Sequence, residues 1–339
     1  MTANVTSRSR KTLWFLFAAL VGLFLFSFVL GRYNVPLGQV VKILLSPVVP
    51  VTQTWTDSMA IAVLNVRLPR IVLACLVGCC LSAAGTSYQS VFQNPMASPD
   101  ILGASSGACF GAALAILLGL GRVWIVLLAF AFSILTVVLV YITGCKTRGS
   151  RVVNILLAGV MISSLFSAGT SYIKLVADPS NQLPAITYWL MGSLSGTRMS
   201  DIRFAIVPML MGLVPLCLLR WRINLLTLGE EEARTMGVNT GRLRFTVVLC
   251  ATFLTAASVA VSGMIGWVGL VVPHLCRKLV GNDNRYLLPA SMLFGAMFLL
   301  LVDNASRNLL ATEIPIGILT AFVGAPFFLY LMTRKEALL

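Results

Sequence analysis

Residues 71–92 read Ile-Val-Leu-Ala-Cys-Leu-Val-Gly-Cys-Cys-Leu-Ser-Ala-Ala-Gly-Thr-Ser-Tyr-Gln-Ser-Val-Phe, with no Asp, Glu, Lys or Arg among them. As an α-helix the run would reach about 33 Å at 1.5 Å per residue, enough to cross the roughly 30 Å hydrocarbon core of a bilayer. It is not a plain greasy anchor, because Gly78, Ser82, Gly85, Thr86, Ser87, Tyr88 and Gln89 lie within it. Small residues let helices approach closely in lipid, and polar groups there need a neighbouring helix or a wet cavity. On residue type alone, both helix packing and the lining of a pathway stay open for them.

Working outward, similar apolar stretches occur at 13–30, 101–120, 123–143, 152–173, 203–219, 243–263, 267–280, 286–305 and 315–332, making ten with the first. The stretch at 267–280 is too short to span by itself and must continue or re-enter beside its predecessor. Arg8, Arg10 and Lys11 precede the run at 13–30, and no small-residue cleavage site follows it, so it reads as a retained anchor and not a signal peptide. Composition agrees: of 339 residues 58% are hydrophobic and 11% charged, against roughly 25% charged in soluble domains. The sequence predicts an all-α polytopic membrane protein with about ten transmembrane helices in a single domain, 1–339. The 25 Lys and Arg fall in short clusters between apolar runs, not along one basic face, which argues against nucleic acid as a partner. The eight cysteines show no zinc-like spacing and read as buried thiols.

The basic clusters orient the chain. With the N-terminus in the cytoplasm, sixteen of the 25 lie inside: Arg8 to Lys11, Lys146 to Arg151, Arg220 to Arg244, Arg277 to Arg285, and Arg334 with Lys335. Nine lie outside, namely Arg32, Lys42, Arg67, Arg70, Arg122, Lys174, Arg198, Arg203 and Arg307. That satisfies the positive-inside tendency and predicts both termini in the cytoplasm.

The most charged inner loop is 228–238, which contains Glu230, Glu231, Glu232, Ala233, Arg234, Met236 and Gly237. Three acids at the start of a short helix and Arg234 in its following turn suit the helix dipole, and Gly229 and Gly237 permit sharp turns at its ends. A solvated loop helix and a helix that fits a groove on a cytoplasmic partner are both open. On the outer side, Arg67-Leu68-Pro69-Arg70 leads into the run at 71–92, and Asp303 and Arg307 are spaced to face one another along a helix. The two prolines of Asn94-Pro95-Met96-Ala97-Ser98-Pro99-Asp100 bar a continuous helix, and Asp100 is placed to cap the next one. Pro273 breaks the short stretch beside His274, the one histidine of the chain, which has no sequence-adjacent carboxylate and reads as a packed or hydrogen-bonded residue.

No Gly-x-x-x-x-Gly-Lys-Ser/Thr loop, nucleophile–base pair or metal cluster occurs in the sequence, so the chain reads as neither an ATPase nor another enzyme. The middles of the spans also lack charge, unlike a carrier with its own ion relay. A secondary carrier and a structural or signalling membrane subunit are the competing functional classes.

The chain resembles the membrane permease subunits of the bacterial ABC importers for iron complexes and vitamin B12. The resemblance rests on Arg67-Leu68-Pro69-Arg70, Gly85 to Gln89, Asn94-Pro95-Met96-Ala97 with Pro99 to Gly103, Leu157-Ala158-Gly159, Trp189 to Leu194, Leu228-Gly229 to Gly237, Gly266 to Arg277, and Ile314 to Gly317 with Gly324 to Phe328. Departures are modest: Met96 stands where Leu is usual, Trp267 where Phe is usual, and Cys79 and Cys80 in a region normally rich in Ala and Gly.

The resemblance implies a type II ABC importer permease fold of ten helices in the bacterial inner membrane, paired with a second copy or a close paralogue. It further implies two cytoplasmic ATPase subunits, which would hold the ATP and Mg, and an extracytoplasmic binding protein; no cofactor is implied for this chain. Glu230 to Gly237 correspond to the helix that docks on the ATPase, and Arg67, Arg70 and Arg307 to arginines that meet the binding protein. The helix of Tyr88 and Gln89 and the fifth helix correspond to elements near the translocation path. On the fifth, Met161, Ser164, Ser167 and Ser171 lie at spacings of three or four and form one mild, partly polar face, for which lining the path and simple helix packing both stay open. The implied cargo is a ferric siderophore, with haem, cobalamin, or another metal complex or an oxyanion as alternatives.

Overall fold

A computed structural model describes residues 2–31, 33–46, 50, 52–146 and 151–333. Arg32, Arg148, Arg334 and Lys335, used above to orient the chain, lie outside the described residues, as do the side chains of Cys145, Arg151 and Glu230. The described chain is helical throughout: α1 (Thr2–Ser27), α2 (Leu37–Leu45), α3 (Asp57–Ala60), α4 (Leu68–Val91), α5 (Ala104–Leu117), α6 (Arg122–Lys146), α7 (Arg151–Val176), α8 (Gln182–Leu190), α9 (Met199–Leu226), α10 (Glu230–Thr235), α11 (Thr240–Ser262), α12 (Val268–Val280), α13 (Asn284–Asn308) and α14 (Ile316–Thr333).

Among the described residues, seven helical segments are long and apolar enough to cross a membrane: Ser7–Ser27, Asp57–Val91, Arg122–Gly144, Val153–Val176, Met199–Leu226, Thr240–Ser262 and Asn284–Asn308. The other three apolar stretches form the shorter helices α5, α12 and α14. Their shortness has local causes. The run at 101–120 begins in a 3-10 turn, Pro99–Leu102, and Gly103 at φ 78° ends that turn before α5 starts. Gly103 therefore occupies the cap position expected of Asp100, whose carboxylate instead accepts a hydrogen bond from the Ser105 hydroxyl. Ahead of α12, Gly263 and Trp267 both take positive φ and hold the intervening residues out of helix. The α12 helix then packs on α4 and α13 and does not prolong α11.

The run at 71–92 is part of a longer helix than expected. α3 passes through a π-helical turn, Ile61–Arg67, directly into α4. Pro69 cannot donate to the carbonyl four residues back, and the Leu68 amide bonds instead to Val63, five back. α4 and α11 form the centre: 78% of the most apolar window of α11 is buried, against 17% for α7. Glycines permit this crowding. A Cβ on Gly78 would overlap the carbonyl of Gly295, and one on Gly85 that of Gly269, the close approach small residues allow.

Candidate functional site

α13 runs the thickness of the protein, and a charged cluster sits at each of its ends. At its start, Asp283 caps the helix by accepting from the Arg285 amide at 2.9 Å, and pairs with the Arg285 guanidinium at 2.7 Å. Asn224, in the last turn of α9, donates to Asp283 at 2.7 Å and accepts from the Asn284 amide at 2.8 Å. Ser90 of α4 donates to Asn284 at 3.0 Å. Burial would raise the Asp283 carboxyl, but the Arg285 and Asn224 hydrogen bonds and the Arg285 charge together hold it below the usual carboxylate range. This polar knot ties three helices together, and none of its residues stood out in the sequence.

Directly beyond Asn224 the chain leaves α9 and forms α10. Gly229 at φ 124° and Gly237 at φ 78° provide the turns, conformations that L side chains rarely adopt. Ala233 is fully buried against the body, while Glu231, Glu232, Arg234 and Met236 are exposed. α10 is thus a small ledge, pinned by one methyl group and presenting charge and a thioether outward.

At the far end of α13, charge is turned inward. Arg70 donates to Asp303 at 2.8 Å and to Glu313 at 2.9 Å, and Arg307 pairs with Asp303 at 3.1 Å. Arg307 also donates to Asn304, which bonds Ser27 of α1 at 2.8 Å. Arg67 donates to the carbonyls of Phe28 and Tyr33. All three arginines are nearly buried, at 5%, 6% and 7% exposure, and Asp303 is completely so. The expected facing of Asp303 and Arg307 is present. The capture of Arg70 by Asp303 and Glu313 was not foreseen, and the three arginines that the resemblance assigns to meeting a binding protein are turned inward in this structure.

The six residues grouped as pathway-lining separate into two sets. Tyr88 and Gln89 are buried: the Tyr88 hydroxyl meets Thr252 at 3.1 Å, and Gln89 accepts from Arg277 at 2.6 Å. Met161, Ser164, Ser167 and Ser171 instead share an open face of α7, where Met161 is 69% exposed. Ser164 and Ser171 spend their hydroxyl protons on carbonyls of their own helix, at 2.9 and 3.0 Å, which leaves a polar face with few free donors. A cavity of about 400 Å³ beside it is lined by Asp100, Ile101, Val160, Ser163, Ser164 and Ser167. A larger one, about 920 Å³, also takes in Asp100 and runs along Trp267, Gly269 and Phe322. Among the described residues, Asp100 is the one charged residue lining either cavity. Nearby on α12, His274 is packed, and its Nε2 has no hydrogen-bond partner among the described residues.

Comparison with known proteins places this geometry. A model of the FecCD transport family matches residues 19–334. The chain is 40% identical over 307 residues to the molybdate import system permease protein MolB of Haemophilus influenzae, covering 88% of each. It is 41% identical over 280 residues to a protein of Helicobacter pylori named a probable iron chelatin transport system permease, covering 83% of this chain and 85% of that one. Among solved structures, a transporter described as of the metal-chelate ABC type, in an inward-facing conformation, superposes with a TM-score of 0.84 at 39% identity, over 94% of this chain and 97% of that one.

Proposed function

This chain belongs to the FecCD transport family, as a membrane permease subunit of the metal-chelate type ABC importers, and on that premise we propose that it conducts a ferric siderophore or a related iron complex inward. It is an all-helical subunit without an ATPase site of its own, and membership of the family implies a partner ATPase and a substrate-binding protein. The observation carrying the cargo reading is the lining of the two cavities. Among the described residues the cavities hold no Lys or Arg to grip a small oxyanion such as molybdate, while the mild Ser and Met face of α7 suits a bulky complex that must slide without being held. Haem and cobalamin fit the same lining and remain the alternative cargoes.

In this reading the seven long segments and α5, α12 and α14 make ten crossings of a bacterial inner membrane, in one transmembrane domain with both termini in the cytoplasm. Loop 228–238 meets the ATPase through the exposed side of α10, two ATPase subunits serve two permease copies, and the copies face each other across α7. The low burial of α7 supports that pairing. The binding protein docks at the Arg67, Arg70 and Arg307 end. Among the described residues Arg67 has only carbonyl partners, so no carboxylate there compensates its charge, which attracts acidic residues above it, while Glu313 is the carboxylate such residues would displace. ATP binding then shifts the pair between its two openings.

The test is uptake into vesicles holding the permease and its ATPase, with the binding protein outside. ATP-dependent accumulation of a ferric siderophore without accumulation of molybdate supports the reading. ATP-dependent molybdate uptake with no iron complex carried would overturn it.

A further inference from the structure

Between the end of α9 and the start of α11, beside α10, lies a cavity of about 830 Å³ that the transport reading does not use. Two arginines, Arg222 and Arg242, line it, and its deeper wall is apolar, formed by Leu219, Leu225 and Leu243. Both arginines are exposed, neither guanidinium is hydrogen-bonded or ion-paired to a described residue, and no acidic residue is in the lining. Two unpaired cations over an apolar wall are chemically half of an ion pair with an amphiphile.

The approach to the cavity identifies the other half. On α9, Val207, Leu210, Met211, Val214, Leu218 and Trp221 are all at least 50% exposed, at spacings of three and four that place them on one helix face. Such a face on a membrane-spanning helix meets acyl chains. It ends at Trp221, an aromatic of the type enriched at the membrane–water boundary, and Trp221 is itself part of the cavity wall. The lipid-facing stripe therefore runs without interruption into the basic cavity.

We propose that this cavity is a binding site for an anionic phospholipid of the leaflet on the α10 side, its phosphate between Arg222 and Arg242 and its chains along the α9 stripe. Basic pockets between transmembrane helices recognise headgroups in this way. Because Met236 and Gly237 also border the cavity, a bound lipid braces the loop carrying α10. The site is independent of which cargo is transported.

The test needs only the full-length permease, delipidated in detergent and titrated with phosphatidylglycerol or phosphatidylcholine under native mass spectrometry. The wild type should prefer phosphatidylglycerol by roughly thirtyfold, about fivefold per arginine. Arg222→Gln with Arg242→Gln should reduce the preference to about twofold or less. Arg222→Lys with Arg242→Lys should keep most of it, because the attraction is to point charge. Excess inorganic phosphate should not displace the lipid. Equal binding of the two lipids by the wild type, an unchanged preference in the glutamine variant, loss in the lysine variant as complete as with glutamine, or displacement by inorganic phosphate would each overturn the proposal. In a separate co-purification with the ATPase subunits, their loss from the glutamine variant with its lipid preference intact would also overturn it, since that would make the cavity a protein interface.

Discussion

The two ends of α13 use charge in opposite ways. Near its start, α10 carries Glu231 and Glu232 into the open, attached to the body through the methyl group of Ala233. At its finish, Arg70, Arg307 and Asp303 are drawn inside and joined to α1 and Glu313. An exposed charge contributes little to folding and is free for a partner, whereas a buried pair becomes part of the scaffold. The contrast predicts that mutations at the Asp303 end act first on stability and mutations on α10 act first on coupling.

The largest effect is expected at Asp303. Asp303→Asn leaves Arg70 and Arg307 without their shared carboxylate, and breaking a buried pair in this way costs about 3–5 kcal/mol. Thermal unfolding in detergent should register it, and an unshifted midpoint would dissolve the contrast between the ends. Next comes Ala233→Asp, which forces a charge into the contact pinning α10. A local loss of about 1–3 kcal/mol should appear as faster amide exchange confined to the 229–238 loop, with the Asp303 end unaffected. Reversing Glu230, Glu231 and Glu232 together to Lys should change the midpoint by only about 0.5 kcal/mol or less, yet sharply reduce ATP hydrolysis coupled to uptake in vesicles. Unchanged coupling there would remove α10 from the ATPase interface.

The smallest effect belongs to Asp283. Its carboxyl is held below its ordinary range, so its contribution to stability is present above the unfolded-state pKa and lost as pH falls through the lower folded value. Because its side chain is 29% exposed, solvent screening limits the contribution to under about 1 kcal/mol. In Asp283→Asn the decline of the unfolding midpoint between neutral and acid pH should be slightly shallower than in wild type. An identical acid limb in the two proteins would show that the knot at this end contributes no pH-dependent stability.

How much was legible in the sequence follows from the range of each interaction. Each of the ten apolar stretches corresponds to a helix, because hydropathy is a local property, and the Gly229 and Gly237 boundaries of α10 could be read because positive φ favours glycine. Hydropathy is blind to backbone shape, however. It counted Ile101 to Gly103 as helix where Gly103 is left-handed, and although it broke between 263 and 267, it could not tell that Gly263 and Trp267 take positive φ there. The nine-residue helices α2 and α8 also went unseen, being far shorter than a span. The Arg70 network was illegible for a simpler reason: its partners Asp303 and Glu313 lie 233 and 243 positions away. Residue type marked Arg70 and Arg307 as notable, but only the packing of α4 against α13 shows that they face inward. Ser164 and Ser167 were picked out by their spacing on a helix the resemblance had marked, whereas Asp100, which lines the same small cavity, had been assigned to a cap.

The central claim is that α10 presents itself to cytoplasmic proteins while the loop between α13 and α14 faces the other side. Met236 and Leu310 are about equally exposed, at 60% and 59%, which makes them a matched pair for labelling. In intact cells a membrane-impermeant maleimide should modify the Leu310→Cys variant and reach the Met236→Cys variant only after permeabilisation. Labelling of the Met236→Cys variant from outside intact cells would contradict the orientation and, with it, the attachment of an ATPase at α10.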